Sequence, residues 1–451
     1  MGTSMSRLPR TLAVCLLGIL LAIVAVGFTQ SEVSAQLAAD TVVGPGESIQ
    51  KAINAADQGD TIVVRGLHRE DVAIRKDGIS LRGEDAVIEP PAKADSPCSR
   101  TFGPAEAICI AGDLNLETGE LTGPRVSDVS VSGFTIRGFQ EGGLGDFKPF
   151  SIDVLAARDA TVAGNRAIGN AGGGIGVSTG SINTTVVNND VIGNANSNAS
   201  GIAVEFSSYT TLAKNVVRNI PVGENAIDVN EGTNTTIAEN DLIGNWAGVF
   251  IVDSPGTKII SNDMSRTGIL GTFVVGPKSA DAKVVGNDIS GGAWGIFVGD
   301  THGGSVVGNN VHDNCAGMFF EAYVRHPVGD FEVTGNTVEN NTQSCRAAQF
   351  GRAFSGIGIA LLGASGMEVA GNQISGNVPS GPTRISGGVV VSKDPYFRGT
   401  TFGGTQKPTN NSVIGNQFGR NKPDIFWDES GSGNRFIGNL CNTSVPNRLC
   451  N

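Results

Sequence analysis

Pairs of apolar residues separated by a single position recur along most of the chain, in the segments GGIGVS, SGIAVEF, NAIDVN, AGVFIVD, WGIFVGD, AGMFFEA and SGIGIAL. Alternation with a period of two marks a strand with one buried face. It sends Ile175/Val177, Ile202/Val204, Ile227/Val229, Val249/Ile251, Ile296/Val298, Met318/Phe320 and Ile357/Ile359 to a common side. Between these strands come a turn, a second short strand and a Gly-Asn or similar pair, as in GNRAIGN, NNDVIGN, ENDLIGN, GNNVHDN and GNQISGN. The leading asparagines Asn165, Asn189, Asn215, Asn240, Asn262, Asn287, Asn309 and Asn336 are spaced by 24, 26, 25, 22, 25, 22 and 27 residues. A repeat in this range predicts stacked coils of an all-β solenoid, with the alternating residues merging into one continuous core. The asparagines fall at turns, where Asn tolerates left-handed backbone angles, and in equivalent positions their amides can bond along the stack.

The regular pattern has boundaries. Within PGESIQKAINAADQGDTIVV, Ile49, Ala52, Ile53 and Ala56 share one face at helical spacing, and Gly59 offers a stop before a strand at Thr61–Val64. A solenoid needs its terminal coil covered, so residues 36–60 read as an N-terminal cap. Residues 61–440 read as the coils and 441–451 as a tail. Insertions are expected near 90–124, 322–332, 340–356 and 392–411, because the steps from Asn336 to Asn372 and from Asn372 to Asn416 are 36 and 44 residues, too long for one coil. Such loops build one wall of a binding face.

The first residues change the picture of location. Arg7 and Arg10 precede an apolar run from Leu12 to Phe28 and the small-residue site Val33-Ser34-Ala35, so residues 1–35 are expected to be a cleaved secretory signal that leaves no stable membrane span. The remainder carries 30 Lys and Arg against 42 Asp and Glu, a net charge of −12. That sign excludes nucleic acid as a natural partner. Six cysteines remain, Cys98, Cys109, Cys315, Cys345, Cys441 and Cys450. An even count in an exported chain predicts disulfides, with local pairs such as Cys98/Cys109 and Cys315/Cys345 favoured by the coil spacing.

Candidate chemistry follows from the residues that alternate outward. Glu205, Asp228 and Asn230 form an acidic cluster on neighbouring coils, which Asp253 and Asp300 would extend. Phe250, Phe297 and Phe319 are expected to form an exposed apolar row, with Val274 among the outward residues and Glu321 beyond it. Bare aromatic rings on a sheet call for a ligand, and sugar faces suit them. Paired carboxylates serve glycoside hydrolysis or hold Ca²⁺. The loop residues Tyr323, Arg325 and His326 offer the base and cation that a lyase or epimerase needs. No His/Cys set has metal-site spacing, so no dedicated metal or cofactor is required and Ca²⁺ is the one candidate.

The helix-strand opening PGESIQKAINAADQGDTIVV and the coils ending in Gly-Asn resemble the right-handed parallel β-helix superfamily that includes pectate lyases, and particularly its NosD-like, carbohydrate-binding and sugar-hydrolase repeat branch, over residues 40–440. The resemblance implies a single-stranded right-handed parallel β-helix. It leaves activity open, because lyases, hydrolases, epimerases and non-enzymatic proteins share that fold. A copper-delivery role is not implied here, since Met264, Met318 and Met367 are the only methionines after residue 35 and the histidines are scattered. The expectation is an exported monomer that binds extracellular polysaccharide along its strand face. The alternatives are a polysaccharide lyase, glycoside hydrolase or uronan epimerase using Glu205 and Asp228 or the Tyr323/Arg325/His326 loop, and a structural cell-surface protein.

Overall fold

The computed structural model describes residues 40–102, 106–115, 120–139, 149–194, 199–322, 326–347, 352–396 and 405–450. They wind into a right-handed parallel β-helix. One coil is formed by Gly173–Ser178, Thr185–Val187 and Asp190–Ile192, and the next by Ile202–Glu205, Thr211–Ala213 and Val216–Arg218. Each strand pairs in parallel with its equivalent one coil on. The first strands of the coils stack into a 14-stranded sheet, and the second strands dominate an 18-stranded one. From Asp263–Met264 onward the third strands have a six-stranded sheet of their own. In the early coils the second and third strands are continuous, as in Thr61–Arg69, Ser80–Glu89 and Ser130–Arg137. These bend at Gly66, Asp85 and Gly133, which hold φ of 81°, 53° and 78°.

The alternating pairs fill the interior as expected from Ile175/Val177 through Met318/Phe320, all 1% exposed or less. Two registers differ from the sequence expectation. In the strand Ile357–Leu362 the interior pair is Ile359 and Leu361, partnered by Met318 and Phe320, while Ile357 faces outward beside Ala316. The run IGIALL has apolar residues on both faces, and alternation then carries no register information. In Leu270–Val275, Val274 is interior and Phe273 is outward. Here the buried Thr272 occupies the inward position that a valine or isoleucine fills elsewhere.

The asparagines form an unbroken ladder from Asn165 to Asn439. At each step the backbone N–H and Nδ2 of one asparagine donate to Oδ1 of the next. From Asn240 to Asn262 these distances are 3.0 and 2.9 Å, and Nδ2 of Asn262 also donates to the Ile237 carbonyl at 3.0 Å. Each amide thus satisfies buried backbone groups at a corner where no strand can do so. The left-handed angle sits one residue earlier than expected, on Gly164, Asn188, Lys214, Glu239 and Ser261. The buried amide, and not its tolerance of positive φ, is what this position requires. A second ladder joins Asn314, Asn341, Asn377 and Asn421.

The cap contains a strand that the helical pattern does not reveal: Asp40–Val43 pairs with Thr61–Val64. The helix Ile49–Ala55 buries Ile49 and Ile53, and Ser48 caps it by accepting from the Lys51 N–H. Gln50 uses its amide like a strand backbone. Its Oε1 accepts from the Ala73 N–H at 2.8 Å and its Nε2 donates to the Ala73 carbonyl at 3.0 Å, which occupies the open edge of the 14-stranded sheet. Disulfides join Cys98 to Cys109, Cys315 to Cys345 and Cys441 to Cys450. Residues 1–35 lie outside the described residues. Among those described, no helix is long and apolar enough to cross a membrane.

Candidate functional site

Parallel pairing without stagger puts equivalent side chains in columns on the outer face of the 14-stranded sheet. One column runs Asp153, Gly176, Ala203, Asp228, Phe250, Phe273, Phe297 and Phe319. Two residues further along the strands a second column runs Glu205, Asn230, Val252 and Val275, then Gly299 and Glu321. The sequence-predicted residues of the strand face therefore do share one surface. Its acidic and aromatic halves meet where Asp228 is the direct partner of Phe250.

The aromatic half differs from the expected bare row. Phe250 and Phe273 are half-buried, but Phe297 is 3% exposed and Phe319 fully buried. The inserted antiparallel hairpin of Cys345–Ala347 and Arg352–Phe354 supplies the cover. Phe354 packs against Trp294 at 4.8 Å and Phe319 at 5.8 Å, and Tyr396 lies 6.5 Å from Phe354. Together with Leu270, Ile357 and Leu362 these residues make a second apolar cluster outside the helix. Glu321 is buried too, so neither it nor Phe297 or Phe319 meets a ligand from solvent. Phe250 and Phe273 stack on each other at 4.8 Å with planes 7° apart, and Phe273 on Phe297 at 4.7 Å. Ring faces are spent on the stack, so this strip turns ring edges toward solvent.

In the acidic half Glu205 is exposed, while Asp228 and Asn230 are half-buried. Asp228 accepts from Nδ2 of Asn225 at 2.9 Å. Asp153 is 6% exposed, and Gly176 makes the room for it. A Cβ there would stand 2.7 Å from Asp153 Oδ1 and 2.6 Å from the Phe150 ring. Burial, reinforced by the charge of Glu205, pushes the Asp153 carboxyl up to about 7. Beside it lies Glu106, 1% exposed, whose carboxyl is also pushed well up by burial and by the Asp153 charge. Apart from each other's carboxyl, both Glu106 oxygens and Oδ1 of Asp153 lack a hydrogen-bond partner among the described residues. Glu106 was missed by the sequence reading because it sits in the irregular 90–124 excursion, whose strand Ile108–Ala111 nevertheless joins the 14-stranded sheet. One carboxylate oxygen of Glu106 lies within 4.8 Å of the sulfurs of Cys98 and Cys109, but those sulfurs are committed to a disulfide.

Tyr323 and Arg325 lie outside the described residues. His326 is exposed and donates its backbone N–H to Asp300 Oδ1 at 3.4 Å.

The family model described as "Right handed beta helix region" matches residues 194–326. None of the curated proteins compared matches the chain in sequence. Among solved structures, the chain is similar to the A-module of the mannuronan C-5 epimerase AlgE6 of Azotobacter vinelandii, at 15% identity over 87% of this chain and 93% of that one, with a TM-score of 0.47. A surface adhesin of Streptococcus pneumoniae is similar at 15% identity over 86% and 87%, with a TM-score of 0.49. A mannuronic acid specific polysaccharide family 6 lyase from human gut microbiota is similar at 13% over 86% of each chain, with a TM-score of 0.42. Enzymes and a surface adhesin thus stand side by side, and the function must be argued from the site.

Proposed function

We propose that this protein binds a polysaccharide chain laid along the outer face of the 14-stranded sheet. One observation carries the reading: at the step from Asp228 to Phe250 a half-exposed apolar strip of Phe250, Phe273, Val252 and Val275 adjoins Glu205, Asp228 and Asn230 in strict register. A sugar chain presents both C–H patches and hydroxyls, and this surface offers apolar edges on the coils of Phe250 and Phe273 and hydrogen-bond acceptors on the adjoining coils of Glu205 and Asp228. Its rungs, about 4.8 Å apart, keep both in a straight line. A glycan array is the test. Phe273→Ala should cost at least tenfold in affinity, and a wild-type protein indifferent to plant, algal and bacterial glycans refutes the reading.

A hydrolytic reading has its own support in the contrast between buried Asp153, held near neutrality, and exposed Glu205. A protonated carboxyl beside an ionised one divides the general-acid and base or nucleophile roles of glycoside hydrolysis. Release of reducing sugar that Asp153→Asn abolishes supports it; a wild type that releases none removes it. Lyase action through Tyr323, Arg325 and His326 would instead generate unsaturated ends, read by their absorbance. In that case Arg325 would neutralise the substrate carboxylate, because Glu205 and Asp228 lie at least four rungs of about 4.8 Å down the stack, too far for a Ca²⁺ held between them to do so. Export belongs to the same proposal, supported by three disulfides. Intact-mass analysis of secreted protein tests the cleavage after Ala35, and light scattering tests the monomer.

A further inference from the structure

We infer that Phe206 and Tyr209 form an aromatic platform for one sugar ring of a neutral glycan, set at the corner of the coil that carries Glu205. The inference rests on the glycan reading above. Phe206 and Tyr209 are 57% and 59% exposed, among the largest exposures of any apolar side chain described. Both hold left-handed backbone angles, φ 48° and 57°, which bulky residues avoid and which persist where something else requires the side chain.

The neighbouring coils show what the backbone alone selects. At the corner position of Phe206 they carry Thr179, Glu231 and Asp253, and at that of Tyr209 they carry Asp159, Asn183, Asn234 and Gly256. The equivalence is fixed by the ladder: Phe206 N–H donates to the Asn230 carbonyl, and Tyr209 N–H to the Thr233 carbonyl, as their counterparts do one coil on. Small or polar residues suit these corners, and only this coil places two aromatic rings there among the described residues.

The surroundings select the occupant. A protein partner needs a broad apolar patch, but this pair is ringed by Thr179, Asn183, Glu231 and Thr233 on the adjoining coils. Two apolar discs within a hydroxyl- and carboxylate-bearing border match a pyranose, whose C–H face stacks while its rim hydroxyls bond outward. Unlike Phe250 and Phe273, neither ring is packed against another among the described residues, so ring faces are available. Glu205, exposed and immediately before Phe206, with Asp228 on the next coil, repels uronates and selects a neutral chain.

The test is native-gel affinity electrophoresis through a neutral β-glucan, a galactomannan, polygalacturonate or alginate, with thermal midpoints measured in parallel. The variants Phe206→Thr and Tyr209→Asn install residues that the same corners carry in the preceding coil. At least tenfold weaker retardation by a neutral polysaccharide, with midpoints equal to or above wild type, is the expected result. If Phe273→Ala weakens retardation while both corner variants run as wild type, the platform is overturned and the strand-face reading stands. Retardation by polyuronates alone overturns the neutral class. A wild type retarded by none of the four overturns both.

Discussion

Replacing Asp153 by Asn removes a charge that the folded protein is reluctant to hold. The ordinary value for this carboxyl is 3.8 and the folded protein raises it to about 7, chiefly by burial. At about 1.4 kcal/mol per pH unit, ionising Asp153 in the folded state costs about 4 kcal/mol. Below about pH 4 folded and unfolded chains both carry the proton and there is no penalty. As pH rises from there to about 7 the unfolded chain has released the proton and the folded one keeps it, so stability falls; above about 7 the loss is complete and the curve levels. Asn is nearly isosteric and cannot ionise. Its stability advantage over wild type should therefore grow from near zero at pH 4 to about 4 kcal/mol at pH 8. Glu106 keeps a slope of its own, because burial and not Asp153 is the first cause of its elevation. Urea unfolding followed by tryptophan fluorescence at pH 4 to 8 provides the measurement. Parallel curves for the two proteins across that range would refute the claim that Asp153 is buried against its ionisation.

Other outcomes follow from the packing. Asn262→Ala strips the acceptor from two Asn240 donors and the donor from the Ile237 carbonyl, at a cost of about 3 kcal/mol. The same change at Asn439, the last step of the ladder, strips the acceptor from two Asn416 donors and the donor from the Val413 carbonyl and should cost a similar amount, so a urea midpoint equal to wild type for either variant would contradict the ladder's role. Cys315→Ser unties the hairpin that carries Phe354; dye binding to newly exposed apolar surface and a red shift of tryptophan emission should follow, and an unchanged spectrum would mean that packing alone holds the cover. Tyr209→Asn relieves a strained corner and should raise stability by about 1 kcal/mol, measured by the same urea midpoints.

Much of the fold was legible because the coils repeat themselves. The Ile-x-Val pairs and the Gly-Asn spacing recur often enough to reveal strands, core and ladder from Asn165 onward. Register failed where local composition erased alternation: IGIALL is apolar on both faces, and Thr272 hid the inward side of LGTFVV, so Phe273 was replaced by Val274 in the expected row. The strand Asp40–Val43 was missed because its burial pattern shows a single buried residue. The site was less legible, for a physical reason. Alternation says which residues point outward, not what a loop lays over them, and so Phe297 and Phe319 were expected at a surface where the Phe354 hairpin joins their apolar cluster, and Glu321 was expected exposed although it is buried. Glu106 approaches Asp153 through an irregular excursion that no periodicity describes.

The asparagine ladder closes with the same geometry whether 22 residues or 44 separate its members. The donor distances are 2.9 Å from Asn287 to Asn309 and 3.0 Å from Asn372 to Asn416. Chain added between two asparagines is therefore expelled sideways and leaves the axis undisturbed. The scaffold behaves as a chassis with interchangeable bodywork: loops can be lengthened, exchanged or grafted onto one wall while the neighbouring coils keep their spacing, which lets new specificities arise without refolding the frame.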